Sequence, residues 1–356
     1  MDKEQIESFF KISNLSFLKT VSINDIIFDE RAKYMCKFGC KNYDRKHSCP
    51  PASLYLKEKA LKNYKNVILL ATTYKIPDMS SVIKIRNYNH VKECEIQRIS
   101  LMLDNFFRLN NIDHIALSGG SCQHCKICSY TLKKKCIKPM KKQISMEAIG
   151  IDCHKTMHNA GFDFFTPNIN TVNRCGCIFI NDKNLLNINL KKRDSYQIFY
   201  EPEIQDVIRI CSTLKKEYPK LFNNIYLKKI SEIKREETIC NSNCKNYNTR
   251  FSCPPYSDKM DLTLWNYAVL WEWKNNRYNK NRYNLALKKI HSAFYSIGFY
   301  FALSLRDCFC DECENCTYNS GEKTICNFMK ILSPSIQSQG INPKQFGNGK
   351  FGIELL

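Results

Sequence analysis

A chain of 356 residues with 44% hydrophobic and 12% aromatic side chains can pack two domains or one large one, which excludes intrinsic disorder as its main state. No apolar run reaches the length a membrane-spanning helix needs, and residues 1–5 lack the apolar stretch of a secretory signal, so a cytoplasmic protein without membrane attachment is expected. The 54 Lys and Arg against 34 Asp and Glu give a net charge of +20, which favours anionic partners although lysine is abundant along the whole chain.

In chain order, a short helix is predicted around Leu54–Tyr64, a strand over Val67–Tyr74 and an amphipathic helix over Val91–Leu109. The apolar face of that helix is Ile96, Ile99, Leu103, Phe106 and Phe107. A strand at His114–Leu117 follows. The same order then returns: a short helix at Lys259–Asn266, a strand at Ala268–Trp273, a helix at Tyr283–Ile297 with Leu287, Ile290 and Phe294 inward, and a strand at Tyr300–Leu305. Strands alternating with helices in two rounds predict two tandem homologous α/β domains, a pseudo-dimer with cysteine-rich metal-binding loops at strand ends. The polar stretch from Asn181 to Glu203 places the boundary, giving domains 1–182 and 183–356.

The repeat is clearest at the cysteines. Cys36, Cys40, Lys41, Asn42, Tyr43, Ser48, Cys49, Pro50 and Pro51 recur with identical spacing as Cys240, Cys244, Lys245, Asn246, Tyr247, Ser252, Cys253, Pro254 and Pro255. A second motif follows each, Cys122, Cys125, Cys128 and Cys136, then Cys310, Cys313, Cys316 and Cys326. Beyond it, the segment 145–152 (SMEAIGID) matches 335–342 (SIQSQGIN), with Glu147 replaced by Gln337 and Asp152 by Asn342. The closing segments match through Gly176 and Gly352.

Twenty cysteines exceed what packing needs, and in a reducing compartment clustered thiols serve metals or redox chemistry more often than disulfides. Zinc sites commonly use two separated C-x2-C pairs, whereas C-x2-C-x2-C in one loop suits a [4Fe-4S] cubane, although the fourth cysteine comes later here than in ferredoxin runs. Up to two such clusters per repeat are expected, with zinc as the alternative. The first motif offers three thiols. Its fourth ligand is left to Cys153, Cys308, Cys94, Cys211, a non-cysteine group, a cysteine crossing between motifs, or an open iron able to act as a Lewis acid.

The remaining candidates each have a plainer role. Cys94 and Cys211 fall in helical patterns and read as buried structural thiols. Cys175 and Cys177 flank Gly176 on one face of a strand, as ligands or as packing. His154 and His158 have the i, i+4 spacing of metal ligands and equally of a solvated pair. His124, inside the C-x2-C loop, is placed to hydrogen-bond a cluster or to face solvent. Ser145 reads as a helix N-cap with Glu147 in the first turn. Lys133, Lys134, Lys135, Lys138, Lys141 and Lys142 crowd around Cys136 as a solvated loop or a docking patch for an acidic ferredoxin or flavodoxin; nucleic acid is the competing partner.

The pattern C-x3-C-x2-Y-x5-C-P-P, then C-x2-C-x2-C, a later Cys and S-M-E-A-x-G-I-D, resembles a prokaryotic cysteine-rich family of predicted metal-binding proteins of unknown function. The resemblance covers nearly the whole chain as two fused copies, the second lacking the acidic groups of Glu147 and Asp152. It implies metal binding and supplies no reaction. Radical SAM enzymes share C-x3-C, but Tyr43 and Tyr247 stand where their third cysteine belongs. The sequence therefore points to an iron-sulfur protein acting in electron transfer or cluster-assisted sulfur chemistry with a partner enzyme or carrier. A zinc-stabilised basic adaptor and an enzyme with an open-site cluster at Cys36, Cys40 and Cys49 are the alternatives.

Overall fold

The computed structural model describes residues 3–54, 56, 58–75, 82–162, 171–181, 188–192, 202–236, 240, 243–257, 259–273, 280–299, 301–307, 316, 332–347 and 350–356. The chain divides into two compact units, Met1–Cys36 with Asn42–Tyr200, and Lys37–Lys41 with Glu201–Leu356. The first contains α1 (Lys3–Ile12), β1 (Phe17–Ser22), α2 (Glu30–Lys37, ending in the second unit's segment), α3 (Glu58–Leu61), β2 (Asn66–Lys75), α4 (Val82–Leu109), β3 (His114–Ser118), β4 (Ile144–Ser145), α5 (Met146–Ile149), α6 (Cys153–Asn159), β5 (Thr171–Ile180) and β6 (Asn189–Lys191). The second contains α7 (Ile204–Glu217), β7 (Phe222–Lys229), β8 (Tyr267–Trp273), α8 (Lys280–Ser296), β9 (Leu303–Leu305) and β10 (Phe351–Leu355).

In the first unit the strands form one sheet in the order β4-β3-β5-β2-β1-β6, antiparallel throughout except for β3 with β4. The run Val67–Ala71 is apolar at every position because both faces of β2 are covered, which removes the alternation of a half-exposed strand. Leu18, Ile68, Leu70, Ile178 and Ile180 pack against Phe10 of α1 and Ile96, Leu103 and Phe107 of α4. The opposite face, with Val67, Leu69, Cys175, Cys177 and Phe179, packs on Met146, Ile149, Ile151, Cys153 and Met157. Three layers result: helices, sheet, and the SMEAIGID segment with α6.

The second unit repeats the plan in the order β7-β8-β10-β9, all antiparallel, which read from its other edge is β3-β5-β2-β1. The parallel pairing of Ser118 with Ser145 returns as a bridge between Arg306 and Ser335. The antiparallel bridge of Phe28 to Ile151 returns as Arg235 to Ile341. Gly176 lies opposite Leu70, and Gly352 opposite Trp271, so the glycines occupy one register in the two copies. A Cβ at Gly352 would stand 2.1 Å from the Trp271 ring, which is why no side chain is accommodated there. Tandem α/β domains are thus realised with mainly antiparallel sheets, and the shared order begins with α1 and α7, ahead of the first cysteine motif.

Predicted strands lie within a residue or two of those observed, except the last, where β9 starts at Leu303. Helix α4 begins at Val82, nine residues before its expected start, because apolar periodicity marks only the portion that packs on the sheet. The expected helix at Leu54–Tyr64 shrinks to the single turn of α3, and that at Lys259–Asn266 to a 3-10 turn at Leu262–Leu264.

Candidate metal centre

The first cysteine motif leaves α2 rather than a strand, with Cys36 near the end of that helix. Its Ser-Cys-Pro-Pro end is built identically in both copies. Asp44 and Asn248 adopt left-handed backbone, φ 53° and 54°, a conformation Asp and Asn tolerate at turns. Their N–H groups donate to the carbonyls of Pro50 and Pro254 at 2.8 and 2.7 Å. Cys49 and Cys253 donate to the Lys46 and Arg250 carbonyls, 3.0 Å each.

The second motif leaves the end of β3 through Gly119 and Gly120. Gly120 has φ +80°, and a Cβ on Gly119 would stand 3.0 Å from the Cys175 carbonyl and 3.2 Å from its Sγ. Two glycines are therefore needed for the chain to turn off the sheet above β5. The Gly120 N–H donates to the Glu147 carboxylate at 3.1 and 3.3 Å, and Ser145 Oγ donates to the same carboxylate at 2.5 Å. Ser145 is the N-cap residue of α5 but makes no side-chain cap bond, since its hydroxyl is spent on Glu147.

In the first unit these two loops are stitched together. Cys122 N–H donates to Ser48 Oγ at 3.0 Å, while the Ser48 carbonyl accepts from Ser145 N–H at 3.3 Å. Lys46 Nζ donates to the Cys122 carbonyl at 2.8 Å and to Gln123 Oε1 at 3.0 Å. His47 Nε2 lies 3.0 Å from the Lys134 carbonyl, and its ring stands against Tyr130. Tyr130 donates to Asp44 at 2.9 Å; burial and that carboxylate push its hydroxyl up to about 12. From α4, Gln97 donates to the Ser121 carbonyl and accepts from Gln123 N–H, 2.8 Å each. None of these anchors except Ser48 stands out in the sequence, and Ser48 does so only because it recurs as Ser252.

Cys122, Cys125, Cys128 and Cys136 carry free, partly exposed thiols. Burial holds the Cys125 thiol above its ordinary value, Lys138 opposes this, and Cys122, Cys136 and Cys128 add to it, so those three sulfurs lie within electrostatic reach of Cys125. His124 is held below its ordinary value by burial, with Lys138, Lys141 and Arg98 reinforcing and Gln143 opposing. It is therefore a neutral imidazole near pH 7, and its Nε2 is buried without a hydrogen-bond partner. Free thiols and an orphaned imidazole nitrogen form a donor set that fits a soft or borderline metal. Among the described residues, no three His, Cys, Asp or Glu side chains already converge on one metal position.

Cys36, Cys40, Cys240, Cys244 and Cys316 are partly exposed, and Cys49 and Cys253 are buried. Cys36 and Cys49 belong to the first unit and Cys40 to the segment grouped with the second. Cys308, Cys310, Cys313 and Cys326 lie outside the described residues. Cys153 sits in the core as a free thiol that donates to the Ile151 carbonyl at 3.9 Å; a hydrogen bond with Cys175, burial and Glu147 raise it well above its ordinary value. Cys175 and Cys177 do share one face of β5. Cys211 is a buried helical thiol as expected, pushed up to about 12 by burial, but Cys94 is partly exposed. His154 and His158 both lie on α6, and burial alone drops His154 to about 3.

The matched register also identifies what the second copy replaced. Phe351 and Ile353 stand where Cys175 and Cys177 stand in the first, and Pro343 takes the place of Cys153. The charge of Glu147 is relocated more than lost: Gln337 Nε2 donates at 3.1 Å to Asp307, the counterpart of Gly119.

The family model described as predicted metal-binding protein (DUF2284) matches residues 19–180 and again 223–348. No curated protein and no solved structure matches the chain.

Proposed function

From the premise that the chain belongs to the DUF2284 family of predicted metal-binding proteins, we propose that the Cys122–Cys136 loop of the first unit holds a [4Fe-4S] cluster and serves electron transfer with a partner. What supports this is that Cys122, Cys128 and Cys136 act electrostatically on Cys125 within one loop whose start Ser48, Lys46 and Gln97 fasten by hydrogen bonds. Three closely spaced thiolates in one loop suit the several irons of a cubane better than a single tetrahedral ion. Bound there, such a cluster supplies one-electron redox chemistry.

The chain's own groups do the holding. Ser48 and Gln97 fix the backbone on either side of Cys122, Lys46 pins its carbonyl, and the glycine turn keeps the loop against β5. Neutral His124 offers a ring nitrogen inside the loop. Buried surroundings at Cys125 favour a bound thiolate over a free one, since an uncompensated thiolate is penalised there. Oxygen-free purification followed by iron and acid-labile sulfide analysis, with electron paramagnetic resonance after reduction, tests the reading. Iron and sulfide in equal amounts with a reduced-state signal support it; stoichiometric zinc without sulfide replaces it with the zinc-stabilised adaptor.

A further inference from the structure

The outer side of the same loop carries an unusual pairing of side chains. Ile127, Leu132, Ile137 and Met140 are 67%, 62%, 67% and 61% exposed, four of the thirteen exposed large apolar side chains among the described residues, within one stretch of the chain. Interleaved with them, Lys126, Lys133, Lys134, Lys135, Lys138 and Lys141 are exposed, and residues 121–143 contain no Asp or Glu. Scattered exposed apolar residues are ordinary, but four in one loop interleaved with charge of a single sign have the composition of an interface. The hydrogen bonds that fasten the loop to Ser48, Lys46 and Gln97 leave these side chains exposed.

We infer that this face is the docking surface for an acidic protein whose own redox centre lies beside an apolar patch ringed by carboxylates. Six lysines with no ion pair among the described residues repel one another and draw an anionic partner, and four aliphatic side chains give that partner an apolar centre to cover. Nucleic acid fits less well. Bases stack on aromatic rings, and the one aromatic residue of the stretch, Tyr130, has its hydroxyl on Asp44 and its ring on His47. An anionic bilayer fits less well too: binding there favours a long amphipathic helix, and this stretch has only 3-10 turns at Ser129–Leu132 and Pro139–Lys141. Cys128 and Cys136 are partly exposed and fall between these apolar residues along the chain, with Cys125 two residues before Ile127, so a docked carrier would come close to the thiols. The redox character of the partner rests on the cluster reading; the docking does not.

The test uses the oxygen-free full chain and a small acidic ferredoxin as probe, with binding and electron-transfer rates followed from low ionic strength to above about 0.3 M salt. Binding should weaken with salt. The charge reversal K133E/K134E/K141E should weaken it roughly tenfold or more, as should I137S/M140S, while iron and sulfide content is unchanged. Three results overturn the inference: ferredoxin affinity unmoved by both variants, tighter and equally salt-sensitive binding of a single-stranded RNA oligomer or of phosphatidylserine vesicles, or no ferredoxin binding at all. Chain lacking iron and sulfide that still binds ferredoxin through these residues keeps the surface and removes the electron-transfer reading. Loaded chain that ignores ferredoxin removes the surface alone.

Discussion

Ser48→Ala isolates the fastening of the two cysteine loops. Ser48 is fully buried, and its Oγ accepts the Cys122 N–H at 3.0 Å. Alanine keeps the Ser48 carbonyl bond to Ser145 and nearly the same volume, so the change strands one amide in a site closed to water. Leaving such a donor unsatisfied costs about 1–2 kcal/mol. The cost falls on local opening of the loop, so the Cys122 amide should exchange with solvent deuterium roughly five to thirty times faster. Hydrogen exchange of the segment 119–126, read by mass spectrometry on oxygen-free protein, measures this. In loaded protein, iron release to a chelator should accelerate in parallel. Ser252→Ala is the control, since its effect belongs to the second unit. Unchanged protection at Cys122 in the Ser48 variant, or equal loss in the control, would refute the claim that this hydroxyl holds the loop.

Three further outcomes follow from other parts of the structure. Gly352→Ala drives a Cβ into the Trp271 indole at 2.1 Å and should destabilise the second unit by about 3 kcal/mol or more in thermal unfolding; adding Trp271→Leu should recover part of the loss, because Gly176 faces Leu70 at a workable 3.4 Å. His291 bonds Glu354 at 2.8 Å, and although burial lowers its pKa, that carboxylate raises it further, for a net upward shift. The pair's contribution is therefore complete below about pH 6.5 and is lost as pH rises through the raised folded value, so the second unit's unfolding midpoint should fall across that window and His291→Phe should flatten the slope. Stripping metal under oxygen-free conditions should render Cys122, Cys125, Cys128 and Cys136 open to alkylation while Cys153, Cys177 and Cys211, buried and held as thiols, stay protected until unfolding. Early modification of Cys153 would contradict that placement.

The duplication was legible because identical spacing at Cys36–Pro51 and Cys240–Pro255 survives without any knowledge of structure, and β2 and β8 are runs of residues suited only to a buried strand. The architecture behind the cysteines was less accessible. Lys46 and His47 read as a spacer before the recurring Ser48, yet all three contact the stretch 122–134, and such long-range pairing leaves no local trace in the sequence. Ser145 had the composition of a cap, but capping competes with the nearer demand of Glu147 for its proton. Likewise Cys94 follows a helical pattern without being covered, because periodicity gives the face of a helix and not the extent of what packs on it. The substitution of Glu147 by Gln337 looked like a loss of charge until Asp307 was seen at the neighbouring position.

Gly352 and Trp271 give the two halves unequal tolerance at one register. Both copies hold glycine there, but only the second sets an indole across it, 2.1 Å from where a Cβ would stand, whereas Gly176 faces the Leu70 side chain at 3.4 Å. The same bare residue is therefore a strict steric requirement in the second half and a looser one in the first, so a shared backbone plan comes with separate rules for what each interior admits.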